Sequence, residues 1–304
     1  MNRLVKKVGV VLGVAGLSLT LAACSSDKTV VSYKGGKITQ TEFYNELKKS
    51  SSGQSTLAKM IIERSLQEQY GDKLSTKKVN KEFNNYKKQY GEQFDSVLTQ
   101  NGLTQASFKK NLKTNMLTEI ALKDLKKIST KQEQKAFKSY EPKVTVQHIL
   151  VEKEATAKTI IAELDKGTSF ASLAKKYSTD TATKSDAGKL PAFDNTDTTL
   201  DSTFKEAAFK LKQGEYTKTA VKTEYGYHVI KMIKRPAKGT LKERKAEIDK
   251  QIYASWLQDS TVMQNVIAKV LKKSDPSIKD SDLKGVLAQY ATTSSSTSSV
   301  TSSK

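Results

Sequence analysis

Val144-Thr145-Val146-Gln147-His148-Ile149-Leu150-Val151 and Tyr225-Gly226-Tyr227-His228-Val229-Ile230-Lys231-Met232-Ile233 hold the only two histidines of a 304-residue chain. Both runs are rich in β-branched and aromatic residues and read as strands. Period 2 puts Val144, Val146, His148 and Leu150 on one face of the first, and His228, Ile230 and Met232 on one face of the second. Strands of one small sheet would therefore bring two imidazoles together on an apolar side. Between the runs lie two helical patterns, a polar irregular loop, and a third helix from about Thr203 to Leu211 that closes at Gly214.

Four blocks in order carry a resemblance: Val146 to Val151; Phe170-Ala171-Ser172-Leu173-Ala174 with Tyr177-Ser178-Thr179-Asp180; Phe204-Lys205-Glu206-Ala207-Ala208-Phe209 with Gln213-Gly214; and Val221 to Ile230. Together they resemble a parvulin-type peptidyl-prolyl cis-trans isomerase domain. The resemblance implies rotation about X-Pro bonds with no cofactor. It also implies a polar catalytic set of His148, Asp180, Thr223 and His228, and a proline slot of Leu200 and Phe204 walled by Phe193 and Tyr225. Read without it, a lone histidine on an apolar strand is a core residue with a satisfied ring, and Leu200 with Phe204 is a packing pair at i, i+4. The family commonly reads Gly-Gly-Asp-Leu-Gly where this chain has Ala187-Gly188-Lys189-Leu190-Pro191. That departure removes glycine freedom for positive φ and adds a residue with no N–H donor. Two histidines without a Cys/His cluster give no usual metal-ligand spacing, so no metal is expected. No Gly-x-Ser-x-Gly accompanies them to suggest a serine hydrolase.

Outward toward the N-terminus, Arg3, Lys6 and Lys7 precede an apolar run from Val8 to Leu21. That run is short for a membrane span, which takes about 20 residues, and fits a signal peptide over residues 1–23. Leu21-Ala22-Ala23-Cys24 resembles the lipobox of bacterial lipoproteins, which implies lipid attachment at Cys24, the sole cysteine. A lipidated Cys24 leaves no thiol for a disulfide, a nucleophile or a metal cluster. It places the protein at the extracytoplasmic face of a bacterial, Gram-positive, cell membrane. The chain carries a net charge of +20, of which about +17 remains when the signal's three basic residues are gone. The expected partners are unfolded exported polypeptides containing X-Pro bonds, and anionic lipids or wall polymers drawn by that charge. Nucleic acid is not expected, because the lysines are spread over many helices.

Residues 24–38 hold a strand pair around Gly35-Gly36. Residues 39–140 read as amphipathic helices, with capping boxes at Thr39 to Glu42 and Thr130 to Glu133. After the isomerase-like segment 142–236, residues 238–290 open at Thr240-Leu241-Lys242-Glu243. They carry one long helix whose apolar stripe includes Ile248, Trp256, Val266 and Val270. A stripe of that length needs a partner, either the N-terminal helices or a second copy in a homodimer. Residues 291–304, nearly all serine and threonine, read as disordered. The expected fold class is α+β: a parvulin-like small sheet with flanking helices, inserted in a mostly α-helical, chaperone-like split domain. The whole order resembles PrsA-type foldase lipoproteins. An isomerase assisting folding after export is the function implied. The alternative is a holdase whose parvulin module only binds peptides.

Overall fold

The computed structural model describes residues 27–291; the signal segment, Cys24 and residues 292–304 lie outside the described residues. Among the described residues no helix is long and apolar enough to cross a membrane. The described residues divide into two compact units, one of residues 27–59 with 278–286, the other of residues 60–277 with 287–291.

In the first unit β1 (Thr29–Tyr33) and β2 (Gly36–Thr39) form an antiparallel ribbon, with Val31 opposite Ile38. Gly35 turns the chain at φ +109°. Thr39 then caps α1 (Gln40–Lys49): its hydroxyl accepts the Glu42 N–H while the Glu42 carboxylate accepts the Thr39 N–H, the box predicted from the sequence. Residues 278–286 are held to α1 by Lys48, whose ammonium lies 3.2 Å from Asp280 and 2.8 Å from Asp282.

α2 (Ser51–Tyr70) carries the chain into the second unit, followed by α3 (Thr76–Tyr90), α4 (Phe94–Gln100), α5 (Gln105–Leu125) and α6 (Thr130–Ser139). Leu66 and Tyr70 of α2, Val79 of α3, and Leu117, Ala121 and Leu122 of α5 share one buried cluster with Val266, Ile267, Val270 and Leu271 from near the C-terminal end. Burial of aliphatic side chains at roughly 2 kcal/mol each is what holds such helices, since helical stability in a folded protein comes mostly from packing an apolar face rather than from propensity. The cap of α6 is Ser129 rather than Thr130, with Gln132 completing the box. Serine one residue earlier places Gln132 at the third helical position, within reach of the Ser129 N–H.

The sheet follows. β3 (Thr145–Val151) leads to α7 (Glu154–Asp165), α8 (Phe170–Tyr177), the single turn α9 (Thr181–Lys184) and α10 (Ser202–Lys210). β4 (Val221–Thr223) and β5 (Gly226–Lys234) then close an antiparallel sheet of order β3-β5-β4. α10 stops earlier than the sequence suggested, at Lys210 with extended Leu211 as its cap. Gly214 instead serves the next turn, at φ +89°, and its N–H reaches the Met232 carbonyl. Ile149, Val151 and Val229 face α7 and α8. The other face presents Val146, Ile230 and Met232 to Phe193, Phe204 and Ala208. Glu141 and Arg235, just outside the first and last of these strands, pair at 3.1 Å.

The long C-terminal helix is in fact two, α11 (Leu241–Gln258) and α12 (Ser260–Ser274), with α13 (Ala288–Ala291) after them. Asp259 breaks it: extended at φ −84°, ψ 108°, it ends α11 and caps α12 by accepting the Val262 N–H. Ala291 belongs to α13 and not to the serine/threonine tail. The Tyr140 hydroxyl donates to Glu247 of α11 at 3.1 Å, and Gln251 donates to Asn195 at 3.3 Å.

Candidate active site

Antiparallel pairing sets Leu150 opposite His228 and His148 opposite Ile230, so the two histidines are diagonal neighbours on one face of β3 and β5. Both are 6% exposed. Their rings lie nearly parallel, 20° apart, with Nδ1 to Nδ1 at 3.2 Å. The outer nitrogen of His148, Nε2, is 2.8 Å from Asp180 Oδ2, and that of His228 is 2.8 Å from Thr223 Oγ1. The four residues of the polar set thus form one hydrogen-bonded chain across the sheet.

Charge fixes the direction of that chain. Burial raises Asp180, but the Thr183 hydroxyl, His148 and the Ala182 N–H outweigh it, and the carboxyl ends below its usual range and ionised. A carboxylate only accepts, so His148 Nε2 carries the hydrogen it donates to Asp180. Burial lowers His148 against the opposing pull of Asp180, keeping it neutral, so its Nδ1 is a bare acceptor. His228 Nδ1–H fills it, His228 Nε2 becomes the next acceptor, and the Thr223 O–H donates there. The Thr223 oxygen in turn accepts the Tyr225 N–H at 3.2 Å. Every polar atom of two buried neutral rings is satisfied.

His228 is pushed down to about 4 by burial and by the adjacent His148. Its folded value lies below the unfolded one near 6.5, so between those limits the unfolded chain takes up a proton that the folded chain refuses. Stability is therefore level above pH 6.5 and falls as the pH drops toward 4. The depressed Asp180 adds a further loss at the acid end, as pH falls through its folded value. We expect about 2 kcal/mol less stability for this part of the chain at pH 5 than at pH 7.5. Urea unfolding followed by hydrogen exchange of β3 and β5 amides checks it. An unchanged midpoint would mean that His228 is not held neutral.

Phe204 stands edge-on to both imidazoles, 5.7 Å from His148 and 5.1 Å from His228. It is buried with Phe193, while Leu200 and Leu190 are half-buried against the same cluster. Leu200 is positioned by Asp197, whose carboxylate accepts the Leu200 and Thr199 N–H groups. Tyr225 departs from its assignment: it sits 67% exposed at the turn between β4 and β5, outside the buried cluster, so it is a rim residue rather than a wall. A two-residue turn leaves its ring no strand face on which to pack.

Two contributors escaped the sequence reading. Thr183 donates to Asp180 Oδ2 and lies 3.2 Å from His148 Nε2. Ser178, buried, accepts the N–H groups of Leu150 and Asp180, both at 3.3 Å. The signal for Thr183 was a threonine three residues after a capping aspartate.

The altered glycine segment runs beside β3. His148 N–H donates to the Gly188 carbonyl at 2.7 Å, and Leu190 N–H to that of Val146 at 3.0 Å. Pro191 falls between Leu190 and Phe193, whose N–H groups make the pairing, so its missing donor breaks no bond. Gly188 has φ +75°, and a Cβ there would overlap the His148 carbonyl oxygen. Ala187 also has positive φ, +52°. A non-glycine residue in that region costs about 1–2 kcal/mol, part of which glycine would return as unfolded-state entropy. Ala187→Gly should therefore stabilise this segment by about 0.5–1 kcal/mol, read as a higher urea midpoint with an unchanged slope.

The family model for the rotamase, PPIC-type PPIase domain matches residues 141–234. The foldase protein PrsA 1 of Lactobacillus johnsonii is 62% identical over 97% of this chain and 99% of its own length. The foldase protein PrsA of Latilactobacillus sakei is 55% identical over 94% and 95%. The crystal structure of the foldase protein PrsA from Streptococcus pneumoniae superimposes with a TM-score of 0.69 at 32% identity, covering 86% of this chain and 99% of that one.

Proposed function

The chain belongs to the PrsA family of foldases and is a peptidyl-prolyl isomerase, and from that premise we propose that it works at the outer face of a cell membrane, tethered through lipidated Cys24, on exported polypeptides that contain X-Pro bonds. The proposed site is the chain Asp180, His148, His228 and Thr223 beneath Phe204. That continuous hydrogen-bonded line under an apolar ring is the observation that carries the reading.

The uncatalysed barrier is about 18–20 kcal/mol. An acceleration of about 10⁴ requires roughly 5–6 kcal/mol of preference for the twisted amide over the planar one. Twisting abolishes the resonance that makes a planar amide strongly dipolar, so a dry surface with no charge next to the amide favours the transition state over water. Two histidines held neutral by burial meet that condition, with the Asp180 carboxylate set behind the outer nitrogen of His148. Leu200 and Phe204 seat the proline ring, Phe193 backs Phe204, and Tyr225 meets the flanking peptide at the rim. Thr183 and Ser178 hold Asp180, which fixes the tautomer of His148. No bond is made or broken and no cofactor is required. A holdase reading would draw on the altered Ala187 to Pro191 segment, but Gly188, the glycine that the close approach to His148 demands, is present.

Labelled palmitate fed to a Gram-positive host should enter the parent chain and not Cys24→Ser, which should be released to the medium. The parent should also shorten a proline-limited refolding phase of an exported client. An unlabelled parent would overturn the anchor, and an unaltered refolding phase the assigned substrate class.

A further inference from the structure

Among the described residues eleven large apolar side chains stand exposed, and seven of them lie between residues 30 and 47. Neither the β1–β2 ribbon nor α1 contains a buried residue. Val31 and Ile38 are cross-strand partners and Tyr33 is two residues on, so the three share one face of the ribbon. Phe43 and Leu47, four apart, share one stripe of α1. A patch this dense on so small a unit marks a surface that is covered in use.

Two observations select the occupant. Lys28 and Lys34 flank β1 at its two ends, and β1 starts five residues after Cys24, a reach of at most about 18 Å. Tyrosine and phenylalanine with aliphatic neighbours and flanking lysines are the composition of a surface that sits at lipid head-group level. We propose that the apolar face of the β1–β2 ribbon and α1 docks on an anionic lipid surface, that of the membrane to which Cys24 is tethered. The proposal rests on the anchored reading, which supplies the tether. A tether this short holds the face at high effective concentration over the bilayer, so a weak affinity suffices.

The test uses the full mature chain carrying Cys24→Ser, so that no acyl chain contributes, with vesicles of phosphatidylglycerol or phosphatidylcholine. Partition into phosphatidylglycerol should be at least tenfold stronger and should fall at least tenfold in Tyr33→Ser/Phe43→Ser. Both positions are exposed, so folding should be retained, as far-ultraviolet dichroism would verify. In Phe43→Trp, the added fluorescence should shift blue and be quenched by brominated lipid, while Tyr90→Trp, an exposed control outside the patch, should do neither. Equal partition of the double variant and its parent, or an unquenched Phe43→Trp, overturns the proposal. So does a double variant that dissociates a dimer while binding vesicles as before, which would assign the face to a second copy. The palmitate experiment fails separately: an unlabelled chain whose ribbon still binds vesicles loses the anchor only, and a labelled chain with a wet ribbon loses this surface only.

Discussion

His228→Ala should lower the catalysed cis-to-trans rate of short X-Pro peptides by about 100-fold, leaving suppression of client aggregation within about twofold of the parent. The substitution removes the middle of the hydrogen-bonded line. His148 Nδ1 and the Thr223 hydroxyl lose their partners, and water enters beside Phe204. Loss of one preorganised polar element in a dry site costs on the order of 10²–10³ in rate. A buried acceptor left unpaired also costs about 1–3 kcal/mol of stability, so thermal unfolding must show that the variant is still folded at the assay temperature. A folded His228→Ala with parental turnover would sink the site assignment while leaving the family untouched.

Gly188→Ala should be the more damaging change to structure, lowering stability of the sheet by about 3 kcal/mol or more. The new methyl group sits in a positive-φ position, which costs about 1–2 kcal/mol. It also drives against the carbonyl oxygen of His148. The segment must move away, breaking the hydrogen bond from His148 N–H to Gly188 and with it the support of β3 beneath the proposed site. Isomerisation should fall at least tenfold even where the protein remains folded. Neighbouring positions thus take opposite signs, alanine to glycine at 187 raising stability and glycine to alanine at 188 lowering it. Equal effects at the two sites would show that backbone conformation is not what distinguishes them. Urea midpoints of both variants decide it.

Much of the site was legible because alternation along a strand is local. Once His148 and His228 each fell on the apolar face of a β-run, only a common sheet was needed to join them. Their diagonal register, by contrast, is set by the long connection and has no local signature. Thr183 is legible only once Asp180 is seen to cap α9: the spacing of three then brings its hydroxyl to the carboxylate, while the polar stretch around it has no hydrophobic period to announce so short a helix. Asp259 escaped notice for a different reason: the apolar stripe runs through it from Trp256 to Met263, so periodicity alone reports one helix. The break comes from a side chain that competes for a backbone N–H. Tyr225 was misplaced because resemblance aligns residues and does not measure how tightly a turn swings a ring outward.

The Glu141–Arg235 pair and the opposition of Thr145 to Lys234 have a consequence for heredity. Strand partners lie about 5 Å apart, so the chain departs and returns through almost one point. Excising residues 145–234 would leave a gap that two or three residues can bridge, and the helices bearing Leu122 and Val270 would keep their own cluster. A lineage could therefore lose, regain or exchange this cassette by one recombination event without rebuilding the helices around it.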